Sequence, residues 1–162
     1  MVLIGIYLAS IVLANLTVAH FGAPAVLWNA FVLISLDLTA RDRLHEQWQH
    51  KHLKRNMALL IIAGSLLSAL LNAGATQIAI ASCVAFGAAA VVDTIVYASL
   101  GEHSRLTRMN VSNVFSAAVD SFLFPTFAFG FPVMWGIVAG QWLAKVVGGL
   151  LWSWLLSRKD SQ

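Results

Sequence analysis

The sequence has a single cysteine, Cys83. One cysteine excludes an intrachain disulfide, and its place in an apolar run makes packing its expected role. Charge is scarce: Asp, Glu, Lys and Arg make up 10% of the chain, against roughly 25% in ordinary soluble domains. Hydrophobic residues make up 59%, and the mean hydropathy is +0.79. A soluble fold cannot cover that much apolar surface, so the composition predicts an all-α integral membrane protein. Its 162 residues suit one domain, 1–162, of about six helices of ~20 residues each. There is no Walker motif, no Gly-rich phosphate loop and no nucleophile–His–acid set. Their lack points away from an enzyme and from an ATPase within this chain. No cofactor is implied. Met1 runs straight into apolar sequence without a basic stretch or an Ala-x-Ala-like site, so no cleavable signal peptide is expected.

Six apolar segments can be drawn. They run about Val2 to Phe21, Pro24 to Thr39, Met57 to Leu71, Gln77 to Leu100, Val111 to Phe129 and Pro132 to Leu156. The second and third are short for a full crossing and are expected to continue into the loop or to tilt. Three connectors, around Gly22, Gly74 and Gly130, are short and uncharged. The segment Arg41–Arg55, the segment Gly101–Asn110 and the C-terminus carry nine of the ten Lys and Arg residues; Lys145 is the exception. The positive-inside rule then puts both termini and both basic loops in the cytoplasm, in a multi-pass protein of the cytoplasmic (inner) membrane. The formal charge of +3 thus has a topological explanation and does not call for nucleic acid.

Two acids break the apolar pattern. An Asp at the centre of a membrane helix costs about 2.5–3.5 kcal/mol on insertion scales. Asp93 and Asp120 both lie deep in such stretches, and each calls for a partner, a proton or a polar ligand. In the fifth segment Asn113, Ser116, Ala117, Asp120, Ser121 and Phe124 recur at helical spacing and share one face. Pro125 follows and cannot donate to the Ser121 carbonyl, which leaves a second acceptor beside Asp120. In the fourth, Asp93 and Tyr97 share a face, so the hydroxyl could bond the carboxylate. In the second, Asp37 and Arg41 are spaced for an i,i+4 ion pair near the cytoplasmic end. Asn15 is the notable polar residue of the first segment. In the sixth, Gln141 and Lys145 share a face, and Lys145, the only cation read as lying within the membrane, needs Asp120 or Asp93. Gly136, Gly140, Ala144 and Gly148 form a small-residue stripe that would let another helix approach, within the chain or in a homo-oligomer.

His45, Glu46 and His50 lack the spacing of a zinc-protease helix, which needs its histidines four apart. No metal site is expected there; the stretch reads as solvated and basic. Trp28, Trp135, Trp152 and Trp154 fit interfacial belts, and Trp48 the headgroup region.

The run Asn15 … Asp37-Leu38-Thr39-Ala40-Arg41 resembles the first two helices of the VUT family of vitamin uptake transporters, also called queuosine precursor transporters. The fifth segment matches that family's Asn-x-x-x-Ala-x-x-Asp-Ser-x-x-Phe pattern through Asn113, Ala117, Asp120, Ser121 and Phe124. Asp93 and Lys145 sit where similar members carry an acid and a lysine. The resemblance covers nearly the whole chain and implies a transporter of six transmembrane helices, similar to the substrate-binding subunits of energy-coupling-factor transporters. It implies import of the 7-deazaguanines preQ0 and preQ1, without an ATPase module, by a site drawn from Asn15, Asp37, Asp93, Asn113, Asp120, Ser121, Gln141 and Lys145. The chemistry suits that substrate. A carboxylate accepts the paired N–H donors of a deazaguanine edge. Asn113, Gln141 or Lys145 could donate to its carbonyl, and Phe122, Phe124 and Trp142 are candidates to flank the ring. A subunit for another water-soluble vitamin, served by a separate ATPase module, and a membrane scaffold or small pore are the alternatives.

Overall fold

The computed structural model describes residues 2–48 and 52–157. α1 (Val2–Phe21) fills the first predicted segment. Gly22 ends it at φ 70°, a conformation that glycine adopts freely, and its N–H bonds the Val18 carbonyl at 2.8 Å. Pro24 opens α2 (Pro24–Asn29) in the first turn, where its missing N–H costs nothing. A π-helical stretch (Ala30–Ile34) and α3 (Ser35–Trp48) continue the same rod, since the backbone at Asn29, Ala30 and Ser35 stays right-handed helical. α4 (Leu53–Leu71), α5 (Thr76–Ser99), α6 (Arg105–Phe129) and α7 (Trp135–Ser157) complete six rods.

Several boundaries differ from the sequence reading; α4, for one, starts at Leu53 and not near Met57. The second rod runs past Thr39 to Trp48, the continuation into the loop that is one expectation for so short a segment, and α6 starts at Arg105 instead of near Val111. Hydropathy marks where apolar surface ends, not where the hydrogen-bond ladder ends. No Gly or Pro interrupts residues 39–48, so the helix continues through polar residues. Ser104 caps α6, its Oγ accepting from the Thr107 N–H at 3.2 Å. Asn72 turns the chain between α4 and α5 by accepting from the Gly74 N–H at 2.9 Å. His45 and Glu46 fall within α3, but their side chains, with all of His50 and Lys51, lie outside the described residues.

The rods close into a ring. α1 packs on the α2–α3 rod and on α4, and the α2–α3 rod packs on α7. α7 packs on α6, α6 along α5, and α5 on α4. Apolar clusters fill both ends of the interior. Val18, Val26, Ile78, Ala81 and Phe124 gather near the Gly22 and Gly130 turns. Tyr7, Ile11, Leu44, Met57 and Ile61 gather near α3. Outside these clusters many of the buried residues are polar, among them Asn15, Ser35, Asp37, Ser68, Ser116, Asp120, Gln141 and Lys145, while Leu59, Leu66, Leu70, Ile95, Phe115, Leu143 and Val147 are exposed. That is the reverse of a soluble protein and suits a lipid surround. α1 and the stretch Ala73–Ser99 are each long and apolar enough to cross a membrane; Pro24–Asp37, Arg55–Leu71 and Trp135–Leu151 are shorter apolar runs.

The small-residue stripe of α7 is used within the chain. A Cβ on Gly148 would lie 2.3 Å from Ser35 Oγ and 2.6 Å from the Phe31 carbonyl oxygen. One on Gly140 would lie 2.7 Å from Leu27 Cδ2, whereas one on Gly136 meets nothing within 4 Å. Glycine thus lets α7 lie against the π-helical stretch, where Ser35 Oγ donates to the Ala30 carbonyl at 2.7 Å.

Candidate functional site

Lys145 on α7 is the hub. It is 2% exposed, and Asp120, Ser121 and Gln141 around it are equally sealed. Its Nζ donates to Asp120 Oδ2 at 2.5 Å, Gln141 Oε1 at 3.1 Å and Ser121 Oγ at 3.2 Å. An ammonium has three N–H donors and no acceptor, so Lys145 is saturated. Because Lys145 only donates, Gln141 must turn its amide oxygen toward it, which aims the NH₂ group elsewhere. Asp120 Oδ1 and Gln141 Nε2 are buried with no hydrogen-bond partner among the described residues. Leaving such a group unpaired costs about 1–3 kcal/mol or more.

Two internal chambers meet at this hub. The first lies toward the Gly22 and Gly130 turns and has a clear volume of about 20 Å³; Asn15, Asn29, Ser82, Phe124 and Gln141 line it. The second lies toward α3 and has a clear volume of about 10 Å³; Tyr7, Asp37, Arg41, Ile61, Ala89 and Ser116 line it. Phe86, Asp120 and Lys145 line both. Each chamber has clear room for about one water molecule. A bicyclic ligand would therefore require the rods to part.

The family model described as "Putative vitamin uptake transporter" matches residues 1–158. The chain belongs to the vitamin uptake transporter family. The match, with the apolar helices and the lipid-suited exterior, makes it a membrane protein of a transporter family. No curated protein and no solved structure matches the chain.

In this vitamin uptake transporter family member the expected residues divide by position. Asp120, Ser121, Gln141 and Lys145 converge, and Asp120, not Asp93, pairs with Lys145 because α7 lies against α6. Asp37 and Arg41 line the second chamber. Arg41 is 5% exposed and donates to Asn113 Oδ1 at 3.2 Å. The second rod thus also carries a buried cation, Arg41, because its helix outlasts its apolar run. Asn113 and Asp93 line neither chamber. Asn113 is engaged with Arg41, and Asp93, 7% exposed with Oδ1 unpartnered among the described residues, lies one turn beyond Ala89. Tyr97 does not bond Asp93; its ring carries the Arg108 guanidinium at 3.9 Å, and its carbonyl accepts from Arg108 Nε at 3.1 Å.

Asn15 reaches the first chamber with its amide held at both ends. Its Nδ2 donates to Ser68 Oγ at 3.0 Å, and its Oδ1 accepts from Ser82 Oγ at 2.5 Å. It therefore ties α1 to α4 and α5. Asn29 is fixed likewise, donating to the Ala14 carbonyl at 3.1 Å and to Thr17 Oγ1 at 2.7 Å. Of the expected ring neighbours only Phe124 lines a chamber. Phe122 turns outward toward Trp135, 6.0 Å away, and Trp142 is 37% exposed with its indole N–H on the Val114 carbonyl. Sequence reasoning missed Phe86, Tyr7 and Ser82. Tyr7 was within reach, since Tyr7, Ile11 and Asn15 recur every four residues and are all buried. Phe86 stands among alanines and carries no such mark. Among the described residues no His, Cys, Asp and Glu side chains cluster to hold a metal.

Proposed function

We propose that the chain imports 7-deazaguanine precursors of queuosine, preQ0 and preQ1, across the cytoplasmic membrane through six membrane-crossing rods. The observation that carries this reading is the open acceptor on Asp120 beside the open donor on Gln141. A deazaguanine edge offers adjacent N–H donors next to a ring carbonyl. Asp120 accepts the donors with charge assistance, and Gln141 donates to the carbonyl. Lys145 cannot take that second role, because its three protons are already used. Asn113 lines neither chamber and so is not placed for it. Phe86 and Phe124 supply the flat apolar walls.

The test is binding of preQ0, preQ1, guanine and queuine to purified protein, with Asp120→Asn and Gln141→Leu alongside. Asp120→Asn replaces an acceptor with a donor and should weaken preQ1 binding roughly ten- to a hundredfold; Gln141→Leu should cost roughly tenfold. Binding of a vitamin and no deazaguanine would sink the substrate assignment. Uptake by proteoliposomes holding this chain alone supports import without an ATPase module, and uptake only with an added module overturns that part.

A further inference from the structure

The second chamber has no role in the recognition just described, yet it is built like the first. Each mixes apolar and polar lining: Ile61, Phe86 and Ala89 with Tyr7, Asp37, Arg41 and Ser116 in the second. We infer that it is a second, consecutive station for the same planar ligand, entered from the first past Phe86 and the Asp120–Lys145 pair. The inference rests on the import reading above.

Four observations carry it. The shared residues are the partition: Phe86, Asp120 and Lys145 line both spaces, so anything leaving one for the other passes them. Asp120 is also fitted to a handover. Its Oδ2 stays on Lys145 while Oδ1 is open, so a ligand held by Asp120 can change chambers without releasing its strongest partner. Tyr7, 1% exposed, lines only the second chamber. Its hydroxyl, both donor and acceptor, can meet the ring edge that Gln141 lets go. The backbone beside the partition can give. Pro125 lies within α6 and removes the helical donor to the Ser121 carbonyl, which weakens the ladder at the level of the pair.

Two cysteine reporters test the inference in full-length protein carrying Cys83→Ala: Ser82→Cys for the first chamber and Ser116→Cys for the second. Thiol labelling is followed with and without saturating preQ1. Protection of both reporters is expected. Tyr7→Phe should still bind preQ1 but import it about tenfold more slowly, the cost of one missing hydrogen bond in the second station. Protection of Ser82→Cys alone, with binding and uptake intact, overturns the second station and leaves the import reading standing. Tyr7→Phe with wild-type uptake overturns it as well. Absence of preQ1 binding to the wild-type chain sinks both readings.

Discussion

At the scale of the residue, the decisive fact is one cation among neighbours that satisfy it completely. Lys145 is sealed, and each of its protons has an oxygen. Desolvating an ammonium and a carboxylate costs several kcal/mol each, which good geometry recovers only while both are present. Lys145→Met should therefore leave Asp120 as an uncompensated buried charge and cost about 3–5 kcal/mol. Thermal unfolding in detergent should show a large drop for this variant. Adding Asp120→Asn to it removes the stranded charge and should restore most of the loss. A double variant no better than the single would mean that the pair does not govern stability. Asp93→Asn is the contrast. Asp93 makes no hydrogen bond to another described side chain, and its Oδ1 is already unpartnered, so the amide should not lower the unfolding temperature.

At the scale of the element, glycine decides how α7 meets the second rod. Gly148 has an oxygen within 2.3 Å of where a Cβ would stand, and part of that contact is backbone, which cannot swing away. Gly148→Ala should push the rods apart and cost about 1–3 kcal/mol. Gly136→Ala meets nothing within 4 Å and should stabilise α7 by about 0.5–1 kcal/mol. Unfolding of the two variants side by side checks this; equal effects would mean that the close approach is not needed. The stripe itself was legible in the sequence, but its partner was not, because a four-residue repeat marks a face without saying which helix covers it. The same limit runs through the site. Helical spacing placed Ser116, Asp120, Ser121 and Phe124 on one face of α6, and all four are buried. The choice of Asp120 over Asp93 depends on which rods are neighbours, and that is set by the closure of the ring. Phe122 and Phe124 are two residues apart, so they cannot share a helical face, and only one reaches the interior. Helix ends beyond the apolar runs were illegible for a different reason: lipid contact stops before hydrogen bonding does.

At the scale of the whole molecule, the polar helix ends and the uncharged turns lie at opposite ends of the ring. The polar helix ends, α3 beyond Ala40 and the start of α6, lie at the same end of the ring as Tyr7, Met57 and Ile61. The uncharged turns at Gly22, Ala73–Ala75 and Gly130 lie at the other end. The pairing of Gly140 and Gly148 with the second rod uses most of the small-residue stripe within the chain. If the basic end faces the cytoplasm, as the positive-inside rule requires, then the first chamber opens toward the outside and the second toward the cell. Cysteines at the two ends of α5 test this in a Cys83→Ala background. Ala73 and Glu102 are both exposed and flank that helix. In intact cells a membrane-impermeant thiol reagent should label Ala73→Cys directly, and Glu102→Cys only after permeabilisation. Phe131→Cys, in the turn after α6, should behave like Ala73→Cys if α6 also crosses. Labelling of Ala73→Cys and Glu102→Cys from the same side would mean that α5 does not span the membrane, and the order of the two chambers would fall with it.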